Sequence, residues 1–491
     1  MAKKASSKPT MRIRMYCQGL GDCFLLTIPR HGTARKDYHI LIDCGVIVGQ
    51  PQGPDKINQV VTHLAKTTNG HIDVLAVTHE HWDHISGFHD AQKAFQDKIK
   101  VDQVWLSWME SDEEPMAVKL QQERDAKKRK LAIALDRPQT SLALGLKSKS
   151  AERLVGLAGF FGLEPGTAVQ SLGLDGDEQD RGKTGAAMSF VKELTSDLWY
   201  LEPGSDPFTI DGLKGLEFFV LGPPRNEASI KKDKPTKKGD EVFRDDSSHG
   251  LDALSALDMP GDPDESSRRS LPFEAKYGVA FDQALNDPFF RKMYDDGTGA
   301  DHPSDWRRID NLWMLSAGEF ALQLDSDTNN TSLVLAIRLP SDKVLLFPGD
   351  AQVGNWESWH SRNYRWGNQD VTAQHLLQQT VVYKVGHHGS HNATLRDKGL
   401  MMMDDPELTA LLPVDEDVAH NKKHWDEMPF LPMLEELKTR TQGRILRPDH
   451  DLKHKATDPD DKSQITWQHS PEKVNGLPNR SLYLDYFVPL H

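Results

Sequence analysis

The sequence is poor in cysteine, has no long apolar run and carries no basic excess. Its 491 residues include three cysteines, Cys17, Cys23 and Cys44. An odd count at a spacing that fits no zinc knuckle excludes a disulfide framework and predicts reduced thiols on core strands. No stretch approaches the ~18 apolar residues of a membrane span, so no membrane association is expected. The opening segment MAKKASSKPT lacks the apolar core of a secretory signal, and the expected location is cytoplasmic. Lys and Arg total 59 against 73 Asp and Glu, a formal charge of −14. That balance argues against a nonspecific nucleic-acid or membrane-surface binder, while leaving room for a local basic groove or a metal site that receives an anion.

What is present is enough chain for two or three domains, or for one domain with large insertions. Residues 1–10 read as a disordered tail. Short apolar strands follow at Met11–Cys17, Cys23–Ile28, His39–Ile42, Val74–Val77 and Val101–Leu106. Ile57, Val60, Val61 and Leu64 recur at helical spacing between them. The middle is different. Residues 114–135 and 154–161 read as helices, and residues 225–270 as a long polar loop. Lys127, Lys128, Arg129 and Lys130 form a basic cluster that reads first as a solvated helix face and second as a phosphate-tracking surface, as do Lys231, Lys232, Lys234, Lys237 and Lys238. Strand patterning returns at 216–221, 332–337, 343–347, 381–385 and 481–488. The expected layout is a core of residues 11–107, 208–225 and 326–491, a helical insertion over 108–207 and a loop-rich insertion over 226–325.

The chemistry concentrates at strand ends. His79, His81, Asp83 and His84 lie within six residues, directly after the buried strand Val74–Val77. Positions 79 and 81 project to one side in an extended stretch and can share one ion, while Asp83 and His84 can hold a second. Asp350 follows the apolar run Leu345-Leu346-Phe347 and a Pro-Gly turn. It reads either as a carboxylate bridging two cations or as a turn residue capping its own backbone. Gly386-His387-His388-Gly389-Ser390 ends another apolar strand. The three fragments can therefore meet at one sheet edge.

These pieces resemble the metallo-β-lactamase-fold hydrolases. More narrowly they resemble the ComEC-like branch, the soluble domain of the bacterial competence DNA-uptake channel. The resemblance rests on Gly19-Leu20-Gly21-Asp22, Asp43-Cys44-Gly45, His79 to His84 with Gly87, Leu221-Gly222-Pro223-Pro224, Asn329-Asn330-Thr331-Ser332-Leu333-Val334, Leu346 to Asp350 and Lys384 to Ser390. It implies an α/β fold, an αββα sandwich with two large insertions. It implies His79 and His81 as ligands of a first metal, Asp83 and His84 as ligands of a second, and Asp350 as the bridge. His387 completes the second site, with His388 as the alternative. Asp43 would orient the His-rich loop through hydrogen bonds. The further histidine that many superfamily members carry before the bridging aspartate is replaced by Asn329-Asn330-Thr331. His302 lies well upstream, so the first ion has three protein ligands or borrows Asn330.

The implied cofactors are two divalent ions, Zn²⁺ first and Mn²⁺ as the oxygen-tolerant option. They would lower the pKa of a shared water, with Asp83, His388 and His391 as the catalytic set and Lys384 as another proton donor to the leaving group. The leading function is a phosphodiesterase or nuclease. A small-molecule ester or lactone hydrolase is the alternative, and a subunit of an effector complex that binds a protein partner through its insertions is the third. Basic clusters facing the site would favour a polynucleotide. A closed apolar lid from residues 150–163 would favour a small ester.

Overall fold

The computed structural model describes residues 9–30, 37–137, 149–172, 182–235, 286–290, 312–423, 425, 427–449 and 466–491. Within them the chain builds two large sheets. The first runs, in spatial order, Thr466–His469, Tyr483–Pro489, Thr10–Tyr16, Phe24–Pro29, Asp37–Ile42, His71–Val77, Lys100–Ser107 and Leu198–Leu201. The second runs Ile445–Leu446, Thr409–Leu411, Thr380–Lys384, Val344–Phe347, Val334–Arg338 and Glu217–Gly222. Both are mixed. Asp37–Ile42, His71–Val77 and Lys100–Ser107 are mutually parallel neighbours, as are Val344–Phe347, Thr380–Lys384 and Thr409–Leu411. Parallel neighbours end on the same edge of their sheet, and the motif residues follow those ends.

Strand alternation explains why the sheets stack. Leu335, Ile337, Leu345, Phe347 and Val382 share a buried cluster with Leu25, Leu41 and Val74 of the first sheet. Their sequence neighbours Val334, Ala336, Val344, Leu346 and Tyr383 belong to a second cluster with Trp356, Leu376 and Met433, on helices outside. Period-two burial on both faces is what a sheet covered on both sides requires. Phe24 and Phe347 meet edge to face across the sandwich, with ring centroids 6.0 Å apart. The helix Gly53–Thr67 buries Ile57, Val60, Val61 and Leu64 against the first sheet, starting at a proline in its first turn. The result is the αββα arrangement of the metallo-β-lactamase fold. Cys17, Cys23 and Cys44 are free and buried. No described helix is long and apolar enough to cross a membrane.

The parts that local patterning read least well are helices in the inserted stretches. Gly182–Glu193 and Leu312–Asn329 are helical, and Leu198–Leu201 adds an edge strand to the first sheet. Residues 1–8, Lys237, Lys238 and His302 lie outside the described residues.

Candidate metal centre

The loop that leaves His71–Val77 is held from below by Asp43. This aspartate follows its own strand with φ of 54°, a left-handed conformation that β-carbon crowding disfavours and that is found where surroundings fix the backbone. Its carboxylate accepts from Thr78 N at 2.8 Å, Thr78 Oγ1 at 2.7 Å and His84 Nδ1 at 2.7 Å. Because the Thr78 hydroxyl donates to Asp43, it accepts from His79 Nδ1 at 3.0 Å. The imidazoles of His79 and His84 thus spend Nδ1 on the scaffold and turn Nε2 inward. His79 Nε2 faces His81 Nδ1 at 3.1 Å. Two nitrogens ~2.0–2.1 Å from one tetrahedral ion lie roughly 3.3 Å apart, so the pair is spaced to share a cation.

Asp350 arrives from the other sheet. The turn before it has Gly349 at φ 58°, where a β-carbon would stand 2.9 Å from Thr78 Cβ and 3.0 Å from Ser332 Cβ. Only glycine allows that approach. Asp350 Oδ1 accepts from Lys384 Nζ at 2.8 Å and from His387 N at 2.8 Å, while Oδ2 lies 3.1 Å from His84 Nε2. Lys384 Nζ also donates to Asp22 and to Gly349 O. Burial works against ionising Asp350, but Lys384 and His84 more than offset it and hold its carboxyl well below the usual range. Burial likewise opposes charge on His84, yet Asp350, Asp22, Asp83 and Asp43 around it lift it well above an ordinary histidine. His79 is pushed down by burial and by the neighbouring His84 and His81.

The two histidines of Gly386–Ser390 separate. His388 Nδ1 donates to Pro413 O at 2.6 Å and its Nε2 lies 2.8 Å from Asp83 Oδ2. Ligand-type atoms of Asp83, Asp350 and His388 fall within 4.8 Å of one another, as do those of His79, His84 and Asp350. His387 turns elsewhere. Its Nδ1 meets Gln352 Nε2 at 3.2 Å and Ser390 Oγ at 2.9 Å, and its Nε2 lies 4.0 Å from Asp325 Oδ1. The geometry therefore sets His388, the alternative choice, beside Asp83. His387 and His388 both have positive φ, 42° and 51°. His391 is half-buried against Phe430, with ring centroids 6.1 Å apart.

The donor set fits a pair of cations. His79, His81, Asp83, His84, Asp350 and His388 are fully buried. Among them Asp83 Oδ1, His84 Nε2 and Asp350 Oδ2 have no hydrogen-bond partner of sound geometry. Buried polar atoms left so are costly unless something binds them.

Sequence reasoning missed Asp325, Asp22 and Glu80. Asp325, about one turn before the end of the helix Leu312–Asn329, places an unpartnered Oδ1 3.9 Å from the unpartnered His81 Nε2. The signal was a buried acid after the apolar run Phe320-Ala321-Leu322. Asn330, by contrast, is engaged away from the cluster. Its side chain donates to Ile230 O at 3.0 Å and Lys232 O at 2.9 Å and accepts from Asn355 N at 3.0 Å.

Glu80, between the two leading histidines, is locked to the helix Pro115–Leu135. Its carboxylate accepts from Lys128 Nζ at 2.7 Å, from Arg124 and from Thr184 Oγ1 at 2.8 Å, and Arg124 also holds Glu110 at 3.1 Å. Lys128 is thus neither a solvated nor a phosphate-tracking side chain; it is buried. Burial alone would raise Glu80, but Arg124 and Lys128 hold it far below the usual carboxylate range. Lys128→Met is expected to destabilise the fold by about 3 kcal/mol or more, because it leaves part of a buried charge unpaired. Urea denaturation checks this, and an unchanged midpoint contradicts it.

Over the cluster lies an aromatic cover. Phe160 and Phe161, in the turn after the helix Lys149–Ala158, sit 5.4 and 5.0 Å from the His81 ring. Phe160 is also 5.5 Å from His387 and stacks on Trp425 at 5.0 Å.

Residues 19–177 match the family model of the Metallo-beta-lactamase superfamily. The match spans Asp22, Asp43, the His79–His84 loop and the aromatic cover, while Asp350, His387 and His388 come from beyond it. No curated protein and no solved structure matches the chain. Members of that superfamily are in general metal-dependent hydrolases, and the clustered histidines and aspartates supply the ligand types such an enzyme needs.

Proposed function

We propose that the chain is a dinuclear metallohydrolase that cleaves a small ester-type substrate, a phosphodiester or a carboxylic ester, rather than a polynucleotide. The observation that carries this reading is the closed aromatic cover, Phe160 and Phe161 against His81, over fully buried ligands. The candidate phosphate-tracking cations support it from the other side. Lys127 pairs with Asp327 at 2.7 Å, Lys231 with Glu123 at 2.7 Å and Lys232 with Glu357 at 2.5 Å. Cations neutralised by acids of their own chain contribute little to a polyanion groove.

In this reading His79, His81 and Asp350 hold one ion, and Asp83, His84, Asp350 and His388 the other. When bound, the ions supply an activated water and neutralise charge developing on the substrate. Asp43, through Thr78 and His84, fixes the imidazoles, and Lys384 fixes Asp350. His388 and Lys384 are engaged on Asp83, Pro413, Asp22 and Asp350, which leaves His387 Nε2, facing Asp325, as the ring nitrogen of the pair without a hydrogen-bond partner. Asn329 to Val334 and Gly386 to Ser390 are the elements that favour the ComEC-like branch within the superfamily.

Metal-loaded protein should hydrolyse a bis-aryl phosphodiester or an aryl ester. It should leave single-stranded DNA, duplex DNA and RNA uncut at equal metal content. Efficient cleavage of any of the three polymers, with both small substrates untouched, contradicts the proposal.

A further inference from the structure

The wall of the site beside the aromatic cover carries an ammonium that the folded chain does not use. Lys423 ends the helix Glu416–Lys423 and is 8 % exposed. Among the described residues it makes no hydrogen bond and no ion pair. Its Nζ lies against two backbone positions without side chains. A β-carbon would stand 3.3 Å from it on Gly159 and 3.5 Å from it on Gly49. Gly159 opens the turn that sets Phe160 on His81 and His387. Trp425, two residues after Lys423, is tied back by its backbone N–H to Ala419 O at 2.9 Å, and its ring stacks on Phe160. Lys423, Trp425 and Phe160 therefore form one wall next to the candidate metal cluster. Burial pushes the Lys423 ammonium down to about 8, and Glu164 and Asp83 act on it in the opposite direction. A largely buried side chain that carries a cation without an ion-pair partner is costly to a fold, and this one stands beside the aromatic wall of the candidate cluster.

We propose that Lys423 is the anion-recognising group of this site: its ammonium pairs with a phosphate or carboxylate carried by a small substrate on the Phe160–Trp425 side of the cluster. The idea rests on the hydrolase reading for the word substrate, but the binding site stands on its own geometry. It narrows the substrate to a molecule with a negative group and an apolar body.

Calorimetric titration of the full chain, loaded with Zn²⁺, tests it. The probes are phenyl phosphate, benzoate and benzyl alcohol. The variants are Lys423→Met and Lys423→Arg, each with its thermal midpoint measured. Lys423→Met should weaken binding of the anionic probes about 10-fold or more, the size of a charge-assisted hydrogen bond, while Lys423→Arg retains most of it. Benzyl alcohol binding should not change. The thermal midpoint of Lys423→Met should stay level or rise, which a lysine kept for structural reasons would not give. Loss confined to phenyl phosphate assigns the site to phosphate, and loss for both anions assigns it to either group. Equal affinity of wild type and Lys423→Met for both anions overturns the proposal, as does a fall in midpoint with affinity unchanged. If no ester or phosphodiester is cleaved yet the affinity loss is seen, the hydrolase reading falls and the anion site stands. Cleavage with unchanged affinity has the reverse meaning.

Discussion

Replacing Asp350 with alanine is expected to remove both divalent ions and to lower hydrolysis by ~10³-fold or more. The size follows from the role. A shared carboxylate is the only group that touches both proposed ligand sets, and losing a cation removes several kcal/mol of transition-state stabilisation, at about 1.4 kcal/mol per factor of ten. Asp350 also pairs with Lys384 and accepts from His387 N, so its loss leaves a buried ammonium with one carboxylate, Asp22, and the Gly349 carbonyl. Paired variants separate metal from scaffold effects. His79→Ala with His81→Ala should lose one ion, and Asp83→Ala with His388→Ala the other. Elemental analysis reads the metal content and circular dichroism confirms that the sheets persist. Full activity in either double variant contradicts the catalytic assignment.

Stripping the metal with a chelator should lower the thermal midpoint by about 10 °C, and restoring it should recover the shift. Ligands that bind only the folded state stabilise by mass action, about 4 kcal/mol at a thousandfold excess over Kd, and each kcal/mol moves the midpoint of a large domain by about 2–4 °C. The pH dependence has a definite sign. Burial opposes protonating His84 and His388, but the carboxylates facing them raise both above the ordinary value, so without a cation their protonated forms persist to higher pH than an ordinary histidine's. A cation must displace those protons, and affinity should fall as pH is lowered. His81, pushed by burial to about 3, works in the metal-free fold as a depressed base. The unfolded chain binds the extra proton between about 3 and 6.5, so its contribution is lost as pH falls through that window. Calorimetric metal titrations at pH 6 and pH 8 should show weaker binding at pH 6. Equal affinity at both would contradict the ligand set.

How much of this was legible in the sequence depends on the range of the interactions. The strands were readable because Leu345 to Phe347 and Val74 to Val77 are continuous apolar runs, as strands buried on both faces must be. The His79–His84 loop was readable because four metal-binding side chains fall at one strand end. The partner of Asp83 was harder, since His387 and His388 are adjacent and only the backbone turn decides which one faces it. Glu80 and Lys128 are 48 positions apart. Nothing in the local pattern of Pro115–Leu135 distinguishes a lysine reaching into a buried carboxylate from one in solvent. The same applies to Phe160, whose partners His81, His387 and Trp425 come from three separate regions of the chain. Asn330 could not be told from a ligand in the sequence, because the backbone groups that engage it belong to residues 230, 232 and 355.

The most direct measurement is the anomalous difference map of a crystal of the Zn²⁺-loaded protein, recorded above and below the zinc absorption edge. The account predicts two peaks sharing Asp350, one beside His79 and His81 and the other beside Asp83, His84 and His388. The absence of both peaks, or zinc bound away from Asp350, would contradict it.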